Sequence, residues 1–391
     1  MNYILFDDVQ IRQQLLPFTF TRPIADIRIG IDTIREKWER FLGQRVSILT
    51  EAYLAGKYPL EQGDGNILIN ASVLPDADLV RAIVSLRTDQ ALSSADLIVA
   101  HHITRLTEDA GAEPAVTEEI EYMRPIRQIE NNWDIFLLNA EQIKLDMPAL
   151  TAGRKSCPLS ADNRVIGVEN IFVEEGAKVE MAMLNASEGP IYIGKDAEIM
   201  AGAMLRGPLA VGEASVIKMG AKIYGGTTIG PHCKVGGEVN NAVLFGYSNK
   251  AHDGFLGNAV LGEWCNLGAD TNNSNLKNDY STVKVWSYAA DSFVQTDEQF
   301  CGLFMGDHSK TAINTMFNTG TVVGVSANVA AAGFPRQFIP SFTWAGKPYP
   351  IDKALETARR MYDRRHKTFT ETDEAILRVV YETTHHNRNK K

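Results

Sequence analysis

The chain has 391 residues, 45% of them hydrophobic and 22% charged, a globular composition too long for one ordinary core. Its formal net charge of −9 argues against a nucleic-acid partner, which needs a basic face, but leaves room for small anionic substrates held by a local basic cluster. Cys157, Cys233, Cys265 and Cys301 lie far apart with no CxxC pair, which excludes a zinc ribbon and a disulfide framework.

The opening MNYILFDDVQ lacks a basic stretch and a long apolar run, so no signal peptide is expected. No segment reaches the roughly 18 uninterrupted apolar residues of a membrane span, and a cytoplasmic protein without a membrane partner is expected. Residues 3–6 read as a buried strand and residues 7–12 as a polar loop. A helix is predicted from Asp32, with Asp32 as cap, Ile34, Trp38 and Leu42 on one face, and Gly43 as its end. Strands follow at 46–49 and 66–69, a helical pattern at 79–92, and a strand at 96–100. This alternation predicts a parallel, doubly wound α/β domain of the Rossmann-like kind over residues 1–150, with residues 130–139 as its closing piece.

From Ile193 a different rhythm takes over. Ile193, Ile199, Leu205, Val211, Ile217, Ile223, Ile229 and Val235 recur at every sixth residue. Small residues stand four positions further on, at Ala197, Ala203, Ser215, Ala221, Thr227 and Cys233. Period six is neither helix nor lone strand; it is the hexapeptide repeat of a left-handed parallel β-helix. The rhythm returns in new phase at Phe255, Leu261 and Leu267, and again at Met305, Phe317, Val323 and Val329, interrupted by Thr311. The β-helix is placed at residues 151–345, with residues 240–254 and 270–299 as outer loops of the kind that often bind ligands. Residues 346–391 form a C-terminal helical extension, with Ile351, Leu355, Ala358 and Tyr362 on one face, a second helix around Ile376, and a polar tail expected to fray after His385. Arg359, Arg360, Arg364, Arg365 and Lys367 make a basic cluster there, read either as a solvated face or as a surface for a neighbouring subunit.

Chemistry concentrates where the rhythm breaks. His252 stands three residues before Phe255, at the lip of the resumed prism, where a histidine can serve as a general base near neutral pH. Five asparagines between Asn266 and Asn278 supply uncharged donors and acceptors suited to a sugar.

The run Lys250-Ala251, His252, Phe255-Leu256-Gly257, Asn266-Leu267-Gly268-Ala269 and Asn275, followed by Met305-Gly-Asp-His-Ser, resembles the acetyltransferase half of the bifunctional GlmU-type family. Members of that family are N-acetylglucosamine-1-phosphate uridyltransferases fused to glucosamine-1-phosphate N-acetyltransferases. The resemblance covers residues 160–345. It implies an acetyl-CoA-dependent N-acetyltransferase acting on an amino-sugar 1-phosphate, glucosamine 1-phosphate foremost, in UDP-N-acetylglucosamine biosynthesis. It implies that His252 is the base, that Asn266 and Asn275 hold the sugar phosphate and orient its amine, and that Ala269 and Ser309 lie near the coenzyme. Phe255 stands where the family has a Tyr, and the family's upstream basic residues are replaced by Glu238-Val-Asn-Asn, which leaves Lys250, Lys277 or Lys284 as candidates to compensate at the phosphate. A homotrimer with prisms side by side is expected, with segment 270–299 reaching toward a neighbour.

Arg12, Leu16-Pro17-Phe18-Thr19, Arg22-Pro23 and Ile24 resemble the opening of sugar nucleotidyltransferases, in the divergent variant of the bifunctional family. Residues 6–11 replace the Gly-rich loop without any glycine, Ile24 replaces the lysine, and Asn70-Ala71 replaces the metal-holding Gly-Asp. Arg12 and Arg22 remain as candidates for binding UTP or dTTP, with Mg²⁺ required only if this domain is active. A degenerate, structural or regulatory domain is equally open. Two other readings compete. A γ-type carbonic anhydrase needs a His-x4-His that His232, His252 and His308 do not provide, and no metal site is expected. A non-catalytic trimeric scaffold would not need His252, Asn266 and Asn275 together.

Overall fold

A computed structural model describes residues 1–106 and 116–388. They divide into two units: residues 1–15, 21–27 and 32–131 form the first, and residues 16–20, 28–31 and those from 132 onward form the second. In the first unit, β1 (Asn2–Phe6) is followed by α1 (Val9–Gln14), where a polar loop was expected. Asp8 makes the difference, because its carboxylate accepts from the backbone of Gln10 and Ile11 and caps a helix start. α2 (Ile34–Leu42) is capped by Thr33 in a capping box with Glu36, while the expected cap, Asp32, pairs with Arg40 instead. Gly43 ends α2 in the left-handed region at φ 69°.

β2 (Ser47–Leu49) and β3 (Asn66–Asn70) flank β1 in parallel, and β4 (Val73–Leu74) follows. α3 (Ala77–Val84) stops short of the expected helical span. Residues from Gln90 enter β5 (Gln90–Ser94), which forms an antiparallel hairpin with β6 (Leu97–Ile103). β6 pairs antiparallel with β3, and β7 (Glu118–Glu121) runs parallel to β5. β8 (Arg127–Gln128) pairs back onto β4. The sheet is therefore mixed, and the expectation of an all-parallel sheet is corrected: the cross-strand ladder at 90–94 overrides the local helical pattern.

The second unit is a parallel β-helix with three faces, as the period-six rhythm predicts. The first face stacks strands at Ile171–Val173, Ile191–Ile193, Leu209–Val211 and Thr227–Ile229, then continues through Leu244, Leu261, Met305, Val323 and Ile339. The second runs from Lys178–Val179 through Glu198–Ile199, Val216–Ile217 and Lys234–Val235 to Asn249–Lys250. The third runs from Arg164–Ile166 through Met183–Asn185, Met204–Arg206 and Lys222–Ile223 to Glu238 and Phe255. Inward residues form one continuous buried core. The phase shifts have a simple origin. Ile229 is followed in its stack by Leu244 and then Leu261, each fewer than three hexapeptides on, so corners lose residues while the ladder keeps its inward partners.

The outward residues of the first face are also buried, among them Phe172, Ala210, Thr228, Val243, Val260 and Phe304. α4 (Asp134–Thr151) covers them, with Phe136 stacked 6.1 Å from Phe304 and Ile143 against Ala210. Residues 130–139, expected to close the first domain, thus lead into a helix of the second unit. Phe18 packs 5.2 Å from Phe245. The hairpin Lys284–Ser287/Ser292–Gln295 folds back on its own chain, with Trp286 stacked 4.3 Å from Phe338 and Tyr288 edge-on to Phe20. Trp286 and Tyr288 of segment 270–299 thus find cover within the unit, while Tyr280 and Phe293 of the same segment stay exposed. α5 (Ile351–Asp363) and α6 (Glu371–Thr383) form the expected helices. α7 (His385–Arg388) continues where fraying was expected, held by Arg388 donating to the Tyr381 carbonyl; residues 389–391 lie outside the described residues.

Asn139 fixes α4 to the prism. It is fully buried, accepts from the Gly30 N–H at 2.7 Å, and donates to the Gly226 carbonyl at 2.7 Å and the Thr228 hydroxyl at 3.0 Å. Asn139→Ala strands those partners, each at about 1–3 kcal/mol. The variant is expected to lose at least about 2 kcal/mol in urea unfolding. An unchanged midpoint for Asn139→Ala would show that α4 is held by apolar contacts alone.

Candidate functional site

His252 lies at the corner between the second and third faces, after Asn249–Lys250 and before the strand Phe255–Glu263. Its side chain is exposed. The loop beneath it is held from inside the prism. Lys250 is paired in register with Val235, so it takes an inward position that an aliphatic residue fills in earlier coils. It is 2% exposed, and its ammonium donates to the carbonyls of His252 and Asp253, the latter at 3.1 Å. Asn273 is a second polar residue at an inward position: it accepts from the Gly257 N–H and donates to the Gly257 carbonyl, both at 2.9 Å. Asn272 accepts from the Phe255 N–H at 2.9 Å. Buried polar groups whose bonds converge on one segment favour one geometry for it. Here they specify the backbone from His252 to Gly257.

Two glycines make room for this. At Gly237, φ 72°, a Cβ would lie 2.9 Å from the His252 carbonyl and from the Lys250 ammonium. At Gly257 a Cβ would lie 2.4 Å from Phe255 Cζ and 3.1 Å from Asn275 Nδ2, so the Phe255 ring and the Asn275 amide meet over a bare backbone. Asn275 donates to Asn258 Oδ1 at 2.8 Å. His252, Phe255 and Asn275 therefore sit along one stretch of the third face. Glu238 is the in-register neighbour of Phe255 on that face and pairs with Lys222 at 3.6 Å.

Other candidates are placed elsewhere. Asn266 is exposed on the second face, where its Oδ1 accepts from Asn249 at 3.2 Å. Ala269 lies at the His252 corner, its carbonyl accepting from the Asn314 N–H. Ser309 is fully buried; its hydroxyl donates to the Gly324 carbonyl at 2.6 Å and accepts from the Ala327 N–H at 2.9 Å, so that hydroxyl is taken up inside the prism. Lys250 faces inward, so its ammonium is not presented to a sugar phosphate. Lys277 remains half-buried at the surface, donating to the Thr282 carbonyl at 2.7 Å, beside a cavity of about 530 Å³ shared with Ser274 and Asn318. His232 and His308 occupy the other corner of the prism in an aromatic stack with Tyr247, Trp264 and Tyr362, so the three histidines do not converge. Burial pushes the Cys233 thiol up to about 12, and Cys265 and Cys301 are raised in the same way.

In the first unit, Arg12 is buried and already paired. It bonds Asp7 at 2.7 Å, the Tyr53 hydroxyl at 3.1 Å and the Arg22 carbonyl at 3.2 Å. Asp7 also accepts from the Ile24 N–H at 2.8 Å and from Thr50 at 2.5 Å; burial raises its carboxyl, and Arg12 opposes the rise. Arg22 is 4% exposed. The position of the missing metal-holding Gly-Asp is taken by Asn70, whose Oδ1 accepts from the Ser72 N–H and hydroxyl. These residues do not fit a Mg²⁺ site, and both arginines are buried.

The roles of Lys250 and Asn273 were missed because the repeat was read for aliphatic positions alone. The signal was there: both are polar residues standing on an inward ladder.

Burial pulls the Lys250 ammonium down to about 8, with Asp253 and Asp270 opposing. In an unfolded chain a lysine stays protonated to roughly 10.4. Between those values the unfolded state binds more protons, so stability rises with pH. Lys310 behaves alike in both proteins and cancels in a comparison. The melting temperature of the wild type is expected to climb relative to Lys250→Met between about pH 8 and about pH 10. Parallel curves would mean that Lys250 is not held as described.

Residues 3–155 match the family model described as sugar nucleotidyl transferase. A bifunctional sugar-1-phosphate nucleotidylyltransferase/acetyltransferase of Sulfurisphaera tokodaii is 32% identical over 170 residues, covering 43% of this chain and 40% of the relative. The bifunctional protein GlmU of Methanocaldococcus jannaschii is 28% identical over 143 residues, covering 37% of this chain and 28% of the relative. An uncharacterized acetyltransferase, YaiX of Escherichia coli O6:K15:H31, is 28% identical over 218 residues, covering 54% of this chain and 94% of the relative. The chain spans less than half the length of the first two. No helix among the described residues is long and apolar enough to cross a membrane. By sequence the chain is similar to bifunctional nucleotidylyltransferase/acetyltransferases of the GlmU type, with its match to the sugar nucleotidyl transferase family lying in residues 3–155.

Proposed function

We propose that the β-helix transfers an acetyl group from acetyl-CoA to the amine of an amino-sugar 1-phosphate, with glucosamine 1-phosphate as acceptor, in sugar-nucleotide synthesis. The observation that carries this reading is an exposed His252 on a backbone clamped from within the prism by Lys250 and Asn273. The similarity to proteins named as acetyltransferases supports it. In the proposed step the sugar amine attacks the thioester carbonyl carbon, forming C–N. His252 takes the amine proton, a backbone N–H faces the developing oxyanion, and collapse breaks C–S. His252 then returns the proton to the departing thiolate, giving the acetamido sugar and coenzyme A. Asn275, beside Phe255, orients the sugar, Asn266 and Ala269 line the approach, and Lys277 takes the phosphate in place of the inward Lys250. Asp7 neutralises Arg12, so the first unit is assigned no efficient nucleotidyl transfer from UTP or dTTP.

A homotrimer is part of this proposal. The third face exposes Ile166, Met183, Met204 and Tyr224 at 59%, 44%, 44% and 39%, a flat apolar stripe that closed symmetry would cover. Light scattering at micromolar concentration should report three times the chain mass, and a monomer would contradict it. His252→Ala should keep the wild-type melting temperature while acetyl transfer to glucosamine 1-phosphate falls roughly 10²–10⁴-fold. Near-full activity in the folded variant would remove His252 as base.

A further inference from the structure

The basic cluster of the C-terminal extension separates into two kinds of cation. Arg359 pairs with Glu374, Arg360 with Glu356 at 2.5 Å, and Arg378 with both Glu374 and Asp352. Arg364, Arg365 and Lys367 form no ion pair among the described residues, and neither do Lys218 and Lys234 of the prism. These unpaired cations converge. Arg365 donates to Asn249 Oδ1 at 3.2 Å, and Asn249 is the in-register neighbour of Lys234 on the second face. The Lys367 ammonium sits 5.8 Å from the centre of the Tyr247 ring, two residues before Asn249. α5 is held there by Tyr362, stacked 4.0 Å from Trp264, so the convergence is built by packing. Burial and then Arg365, Lys218 and Arg364 lower Lys234, and burial with Lys367 and Arg365 lowers His232, as cations crowded on one another require. Glu213 opposes this at His232. In a chain of net charge −9, such a local excess of positive charge costs stability unless an anion is taken up.

We propose that Lys234, Arg365 and Lys367 form a binding site for the pyrophosphate of a nucleotide ligand on the second face of the prism. A guanidinium fork beside ammonium groups matches the spread oxygens of a diphosphate. The Tyr247 ring is sandwiched between His232 and Trp264, 4.7 and 4.4 Å away, so the site reads phosphate rather than base. Asn249 extends the row, since its amide donates to Asn266 Oδ1 at 3.2 Å, which joins the anion site to the exposed asparagine described above. A coenzyme A diphosphate and a nucleoside diphosphate share this chemistry.

Calorimetric titration of the full chain with coenzyme A, UDP and inorganic pyrophosphate tests it. Binding of at least one nucleotide is expected, weakening with added salt. The triple variant Lys234→Gln/Arg365→Gln/Lys367→Gln should bind about tenfold or more weakly, with a ligand-free melting temperature no lower than that of the wild type, since the crowded charges are gone. Arg359→Gln, which removes an equal charge already paired with Glu374, should bind as the wild type does. Tighter coenzyme A than UDP assigns the site to the coenzyme, and the reverse assigns it to a sugar nucleotide; pyrophosphate competing with either confirms that phosphate is what is read. His252→Ala should bind normally, so failure of the acetyl-transfer reading leaves this result standing. Absence of binding by all three probes, or equal affinity in the folded triple variant, overturns the proposal.

Discussion

Everything in the second unit depends on inward residues of successive coils stacking in register. The parallel ladder ties each coil to the next, and the side chains it carries inward form a single buried column of Ile, Val and Leu. Corners adjust to keep that register. Between Val239 and Leu244 the chain turns from the third face to the first through Asn241, at φ 47°, with one residue fewer than the repeat. The sequence rhythm breaks there, but the stack does not.

Against that column the polar exceptions become informative. A lysine and an asparagine in an apolar prism are stable only when their hydrogen bonds are met, and both spend them on the same short stretch of backbone. Local consistency is given up most readily where function requires it. The fold invests rigidity around His252 and leaves its side chain in solvent. In the first unit the buried charges do the reverse: Arg12 and Asp7 close on each other.

The β-helix was legible because period six over residues 193–235 is neither a helical nor a lone-strand period, and the exposed corner at His252 was legible because the rhythm fails beside it. What was not legible depended on contacts distant in sequence. The strand at Gln90–Ser94 reads as helix until its partner Leu97–Ile103 is known. The inward direction of Lys250 needs its pairing with Val235, and the burial of Ser309 needs the carbonyl of Gly324. Arg12 reads as a phosphate ligand only until Asp7 and Tyr53 are seen around it.

The membership of residues 16–20 and 28–31 in the second unit has a consequence for how the gene can be cut. Two short loops belonging to the prism are encoded before most of the first unit: Phe18 reaches Phe245, Arg28 donates to the Phe245 carbonyl at 3.1 Å, and the Thr228 hydroxyl donates to the Gly30 carbonyl at 2.7 Å. No single truncation point yields a whole β-helix. A fragment beginning at Asn132 would expose Phe245 and deprive Asn139 and Asp146 of the Gly30 and Ile31 amides. The two units are therefore a poor pair for recombination or modular exchange, and a lineage carrying this interleaved chain is committed to keeping its first unit, whether or not that unit turns over a nucleotide.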